Sequence, residues 1–215
     1  MEQEKLEYPQ KEGIVKSDQS TAETLYIDTF GIKTFTDLTS NIIKKVAPEI
    51  RKKILENYLA NNEHETIEYK TINGKKTNIW VIVGARYDAT EFHIAEKLAR
   101  SGQHILFPNH GALGDGRKND VYLYDSKTYV QRKVELKALF GETAEALKSQ
   151  IISGSGQASI IAYDIQSNIK RNWLVKGLRG GWSKNLKSVM LNYKGQWYQF
   201  DENDVYGDDI YVILK

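Results

Sequence analysis

The stretch NDVYLYDSKTYVQRKVELKA, residues 119–138, sets Asp120 at the head of one candidate strand and Glu135 and Lys137 inside the next. Side chains alternate faces along a strand, so Lys133, Glu135 and Lys137 share one face and Val134, Leu136 and Ala138 the other. Glu135 and Lys137 then stand side by side, about 6–7 Å apart. If the two strands pair, Asp120 and Glu135 converge at one end of the sheet. Two convergent carboxylates suit a hard divalent cation, which prefers oxygen ligands. Such an ion lowers the pKa of a bound water and offsets charge on a phosphate. A lysine beside it can position or deprotonate that water, or stabilise the developing charge. These are the parts that hydrolysis of a phosphodiester needs. The plain alternative is a half-exposed strand, for which Val-Glu-Leu-Lys is ordinary.

Two further polar residues stand where chemistry is possible. DATEFHIAEKLARSGQ reads as a helix, with Asp88 as N-cap, Glu91 as its capping-box partner and Gly102 past the end. Ile94, Ala95, Leu98 and Ala99 define its apolar face. Glu91 falls near the centre of that face and Glu96 points away from it. A carboxylate directed at a core is costly without a partner, so Glu91 is either a first-turn cap or a third acid aimed at the site. Gln157 follows SGSG and precedes an apolar strand. It is either a loop residue or an amide that orients water, lysine or phosphate at the strand mouth.

The elements that must carry these residues follow in a readable order. From Asp88 onward come a helix, the strand HILFP, the Gly-rich loop HGALGDGRK, the strands DVYLY and YVQRKVELKAL, the helix ETAEALKSQII, and the apolar strand ASIIAYDI. The order is α-β-β-β-α-β, a mixed α/β class, and the tail SVMLNYKGQWYQFDENDVYGDDIYVILK is expected to add two or three strands. Upstream, residues 1–20 are polar, and Asp37–Asn61 reads as helical, with Pro48 either in the first turn of a second helix or kinking a single one. ETIEYKTINGKKTNIWVIV is a hairpin with Asn73-Gly74 at its turn. We expect an accessory helical and hairpin region over 1–84 and the α/β domain over 85–215.

Composition narrows the partners. The chain has 215 residues, 40% hydrophobic, no cysteine and a net charge of +2. Disulfides and thiolate zinc sites are excluded. No stretch reaches the roughly 18 apolar residues of a membrane helix, and MEQEKLEYPQKEG lacks the pattern of a signal peptide. Charge is uneven. Ile165–Phe200 carries Lys170, Arg171, Lys176, Arg179, Lys184, Lys187 and Lys194 with no acid, interleaved with Trp173, Trp182, Tyr193, Trp197 and Tyr198. Such a tract suits a phosphate backbone and unstacked bases; Arg179, Lys184 and Lys187 are the candidate backbone contacts.

In this order the residues resemble the PD-(D/E)XK nuclease superfamily, whose core is restriction-endonuclease-like. EFHIAEKLARSGQHILF, NDVYLY, VELKA and GQASIIAYDI are similar to the C-terminal nuclease domains of contact-dependent growth inhibition and related polymorphic bacterial toxins. Glu91, Ala95, Leu98, Ala99 and Gly102 match the first element, Asp120 the second, Glu135 and Lys137 the third, and Gln157-Ala158 the fourth. The match spans about residues 88–165, and Asn119 stands where the superfamily often has proline. The resemblance implies Asp120 and Glu135 as ligands of Mg2+ (or Mn2+), Lys137 as the catalytic lysine, Glu91 as a ligand or lysine-positioning residue, and Gln157 as an auxiliary polar residue. It also implies DNA or tRNA as substrate, action in a target cell's cytoplasm after delivery, and a cognate immunity protein. A phage or mobile-element nuclease would share the same core.

Three other readings are open on sequence. His93, His104 and His110 lie near the Gly-rich loop and suggest a metal-free ribonuclease. A non-catalytic nucleic-acid-binding module could keep the nuclease fold. DENDVYGDD hints at calcium, but without EF-hand spacing it reads as an acidic turn between strands.

Overall fold

The structure is a computed structural model that describes residues 47–110 and 120–214. The expectations for residues 1–46 and most of the Gly-rich loop lie outside the described residues. The chain divides into two compact units.

Within the described residues, the first unit comprises residues 47–62 and the segment Lys127–Val130. Its helix α1 (Pro48–Ala60) has Pro48 in the first turn, where the missing N–H is no loss. Pro48 thus starts a helix rather than kinking one. Arg51 Nη1 donates to the Thr128 carbonyl at 2.5 Å, joining the helix to the short segment.

The second unit is built on one eight-stranded sheet. Its strands are β1 (His64–Lys70), β2 (Lys76–Ile82), β3 (Gln103–Phe107), β4 (Val121–Asp125), β5 (Gln131–Leu139), β6 (Ile160–Ile165), β7 (Ser188–Tyr193) and β8 (Gln196–Phe200). Helix α2 (Ala89–Arg100) precedes β3, α3 (Ala144–Ser155) precedes β6, and α4 (Arg171–Gly181) precedes β7. The short helices α5 (Glu202–Tyr206) and α6 (Ile210–Ile213) close the chain. From α2 to β6 the observed order is α-β-β-β-α-β, as the periodicity predicts. Strands lie in sequence order across the sheet. The pairs β2/β3, β5/β6 and β6/β7 are parallel and the others antiparallel. No described helix is long and apolar enough to cross a membrane.

Apolar side chains fill both faces. One core gathers Ile94, Ala95, Leu98 and Ala99 of α2 with Ile105, Leu123, Val134 and Leu136 of the sheet. The other gathers Leu139, Ile161, Tyr163 and Leu191 with Leu147 and Ile151 of α3 and Leu174 and Leu178 of α4.

Several expectations change. The hairpin β1–β2 has Gly74 at φ +74° in its turn, but it belongs to the sheet, not to an accessory region. β2 takes a parallel ladder from β3, pairing Ile79 with Ile105, so the units divide near residue 62 rather than 84. Residues 153–155 continue α3 instead of ending it, because serine and glycine there still complete the last turn. The basic tract, read above only by its charge, contains helix α4. The tail supplies two strands and then α5 and α6, not a third strand. DENDVYGDD is not a turn between strands: Asp201 accepts from the Asp204 N–H, and Asp204 accepts from the Asp201 N–H, a capping box that starts α5.

Helices α3 and α4 touch through glycine. A Cβ on Gly177 would lie 2.9 Å from the Ala144 carbonyl oxygen and from Leu147 Cβ. A Cβ on Gly180 would meet only the flexible Lys148 chain, at 3.2 Å from Cδ. Overpacking of this kind costs about 1–3 kcal/mol, whereas Gly to Ala in an open helix gains up to about 1 kcal/mol. Thermal melts should therefore show Gly177→Ala lowering Tm by about 2–6 °C and Gly180→Ala leaving it unchanged or slightly raised.

Candidate active site

Strand β5 changes partners in its middle. Gln131–Val134 pair with β4, ending at Val121↔Val134, and Glu135–Leu139 pair with β6. Asp120 is the residue just before β4, so continuing the ladder by one step sets it opposite Glu135. The two carboxylates therefore converge, not at one end of the sheet as the sequence suggests but at an interior fork of its ladders, where the β4 ladder on one edge of β5 ends and the β6 ladder on the other edge begins.

The fork leaves the Leu136 N–H without β4 as a partner, and Asp120 fills the gap: its Oδ2 accepts that N–H at 2.6 Å. Glu135 is fully buried, at 0% exposure. Lys137 Nζ lies 2.5 Å from Glu135 Oε1. Neither oxygen of Glu135 meets a donor with hydrogen-bond geometry. The lysine contact is an ion pair, and the Asp120 carboxyl is close enough to hydrogen-bond Glu135 when one of the two holds a proton.

Glu91 joins from the first turn of α2. Its Oε2 accepts the Asp88 N–H at 3.0 Å while Asp88 Oδ1 accepts the Glu91 N–H at 2.8 Å, a complete capping box. Its charge also acts on Glu135 and Lys137, and that of Asp120 acts on it. Glu91 is thus the first-turn cap, and it also lies within electrostatic reach of the cluster. Helix α2 is fixed at its other end. Lys97 donates to the buried Asp164 Oδ2 at 2.7 Å, and Asn192 Nδ2 donates to Oδ1 at 2.7 Å. Gln166 Nε2 also donates to Asp164 Oδ2.

Electrostatics follow from this crowding. Burial first, then the charge of Glu135, pushes Asp120 up to about 6 against the opposing Leu136 N–H and Lys137. Burial also raises Glu135, against the pull of Lys137. Burial raises Glu91 against its bond from Asp88. For Lys137, burial pulls downward, but Glu135, Asp120 and Glu91 outweigh it and the net shift is upward. Its surroundings therefore favour the ammonium form, a donor and a positive charge. Three carboxylates against one ammonium leave negative charge that a divalent cation would offset.

Among the described residues no group of three or more His, Cys, Asp or Glu is arranged to hold a metal ion. The donor set still fits magnesium, which commonly uses one or two carboxylates and completes its shell with water and phosphate oxygens. The two buried oxygens of Glu135, met only by the Lys137 ion pair and the neighbouring Asp120 carboxyl, are the feature that fits.

The other sequence candidates fare unevenly. Gln157 is exposed in the turn before β6, four positions ahead of Ile161, the register partner of Glu135. Its N–H donates to Gly154, and its amide is not joined to the cluster. Arg179 is half-buried and donates to the carbonyls of Val205 and Gly207. It braces α5 instead of facing a phosphate backbone. Lys184 and Lys187 are exposed before β7. Of the interleaved aromatics, Tyr193 and Tyr198 are core, Trp182 and Trp197 pack against the cores, and Trp173 is exposed. The histidine reading loses two members: His104 Nδ1 accepts the Asn78 N–H and stacks on Trp80, and His93 faces Glu96.

Sequence reasoning missed Tyr163, Asp164 and Lys97. Tyr163 and Asp164 sit inside an apolar run, and their polarity in a buried strand was the signal. Their partners come from register and packing that one sequence does not display.

No family model matches the chain, and no curated protein matches it. Among solved structures, a CdiA-CT/CdiI toxin and immunity complex from Burkholderia pseudomallei aligns over 52% of this chain and 81% of that chain, at 17% identity and a TM-score of 0.41.

The raised carboxylates predict how stability follows pH. The native state holds a proton on Asp120 that the unfolded chain releases, between the ordinary value of 3.8 and about 6. Its stabilising contribution is complete below 3.8 and is lost as pH rises through about 6. Asp120→Asn keeps an acceptor for Leu136 and removes the charge. In metal-free buffer it should raise Tm by about 2–4 °C at pH 7.5, with the gain vanishing by about pH 4. Melts across that range test this, and an unshifted or lowered Tm at pH 7.5 contradicts it.

Proposed function

We propose that this chain is a metal-dependent nuclease that hydrolyses phosphodiester bonds of DNA or tRNA, and that it serves as a bacterial toxin effector. The observation that carries the reading is the meeting of Asp120, Glu135 and Lys137 at the fork of β5, with Glu91 within electrostatic reach. Asp120 and Glu135 would hold Mg2+, or Mn2+ in its place. The ion's chemistry is to polarise a phosphoryl oxygen and lower the pKa of a bound water.

The chain's own residues supply the rest. Asp120 spends one oxygen on the Leu136 N–H, so its position is tied to the backbone of the Glu-x-Lys strand. Glu135 is held by burial. Lys137, with its side chain 31% exposed, reaches the surface where a phosphate would dock. In hydrolysis, water oxygen bonds to phosphorus, the bond to the leaving ester oxygen breaks, and the water's proton passes to solvent or to the leaving oxygen. Charge builds on the phosphate oxygens as this happens, and the Lys137 ammonium stabilises it there. The three carboxylates raise its pKa in the metal-free protein, which favours the ammonium form for this role. Lys184, Lys187 and Trp173 are exposed on the second unit and suit backbone and base contacts.

The toxin setting rests on the order of motifs shared with bacterial toxin nuclease domains. It implies action in the cytoplasm of a target cell and a cognate immunity protein as partner.

Purified protein incubated with plasmid, linear DNA and total tRNA should cleave one class with Mg2+ and none with EDTA. Glu135→Ala should abolish cleavage, and Lys137→Ala should slow it by about 10²–10³-fold. Cleavage that survives EDTA, or an undiminished Glu135→Ala variant, defeats the proposal.

A further inference from the structure

Tyr163 stands beside Lys137, its register partner in the parallel β5–β6 ladder. It is fully buried, at 0% exposure, and its hydroxyl has no hydrogen-bond partner among the described residues. A buried phenol normally finds an acceptor. The neighbouring acceptor is Glu135, whose two oxygens are buried and whose charge is met from one side only, by Lys137 at 2.5 Å from Oε1. Ile161 is the partner of Glu135, and Tyr163 lies two residues further along the same face. The two backbone positions are thus about 8 Å apart from strand rise and spacing, a gap that a tyrosine and a glutamate side chain can close. Burial, and then the charge of Glu135, raises the Tyr163 phenol pKa, in keeping with their nearness.

At rest Glu135 relies on Lys137 for its counter-charge. The proposed reaction draws that ammonium toward the phosphate. A buried carboxylate that loses its lysine must find another donor or shift.

We infer that Tyr163 is a positioning residue, whose hydroxyl donates to Glu135 and keeps that carboxylate in place once Lys137 turns to the substrate. The inference rests on the proposed nuclease reading for the movement of Lys137, but the link between Tyr163 and Glu135 can be read without any cleavage.

Thermal melts of the unaltered protein, Tyr163→Phe, Lys137→Met and the double variant give that reading. Alone, Tyr163→Phe should leave Tm unchanged or raised, because it deletes a hydroxyl without a partner. Added to Lys137→Met, it should lower Tm by about 2–4 °C, because the hydroxyl has by then become the donor to Glu135. Equal shifts in the two backgrounds overturn the inference. In cleavage assays Tyr163→Phe should lower kcat by about tenfold and leave KM unchanged; a loss confined to KM also overturns it. If the unaltered protein cleaves nothing, the nuclease reading fails, and the melting comparison still decides whether Tyr163 answers to Glu135.

Discussion

The second unit depends on the exchange of partners along β5. A strand whose neighbour departs leaves backbone N–H groups that must be satisfied, since a buried orphan donor costs about 1–3 kcal/mol. The departing strand itself supplies the answer: Asp120, one residue before β4, turns its carboxylate onto the Leu136 N–H. A structural need thereby fixes an acid at the mouth of the fork. The next ladder, with β6, starts at Glu135. The same discontinuity brings the second acid and the lysine to the place where the first is anchored.

This arrangement is not what stability alone would select. A buried ion pair seldom outweighs the desolvation of its members, and apolar residues of similar size often serve a fold better. Here the imbalance is worse, since Lys137 faces Glu135, Asp120 and Glu91 together. All three acids are pushed upward, with burial as the largest cause. Carboxylates shifted by burial around one lysine in a partly open cluster mark a functional-site candidate. The Lys97–Asp164 pair is the instructive contrast. Asp164 is as buried as Glu135, at 1% exposure, yet it is met by Lys97, Asn192 and Gln166. Its network is closed and ties α2 to β6 and β7, whereas the network at Glu135 is open.

Much of this was legible in the residues. Hydrophobic periodicity placed α2, β3, β4, β5, α3 and β6, and strand alternation placed Glu135 and Lys137 on one face. Capping rules placed Glu91 correctly, because N-terminal helix chemistry is local. What failed was non-local. The hairpin of β1 and β2 carries no mark that β2 will pair with β3, more than twenty residues later along the chain. The basic tract has the right composition for nucleic acid. Yet composition does not tell that Arg171 donates to the Tyr211 and Leu214 carbonyls, or that Arg179 braces α5. DENDVYGDD carries its own Asp-x-x-Asp capping box; there the local signal was present and the expectation of a strand tail masked it.

The two arginines bear on how a polyanion would be held. Guanidinium groups make bidentate phosphate contacts that lysine does not, and those of Arg171 and Arg179 are engaged with backbone carbonyls. The exposed positive charge of this region not already tied to backbone carbonyls is therefore lysine charge: Lys170, Lys176, Lys184, Lys187 and Lys194. Lysine attracts a phosphate backbone as a point charge and reads no base by itself. A substrate gripped in this way is held without sequence preference by these contacts. Under the proposed reading, any preference between DNA and tRNA would have to come from the surroundings of Asp120, Glu135 and Lys137 on β4 and β5 rather than from these lysines.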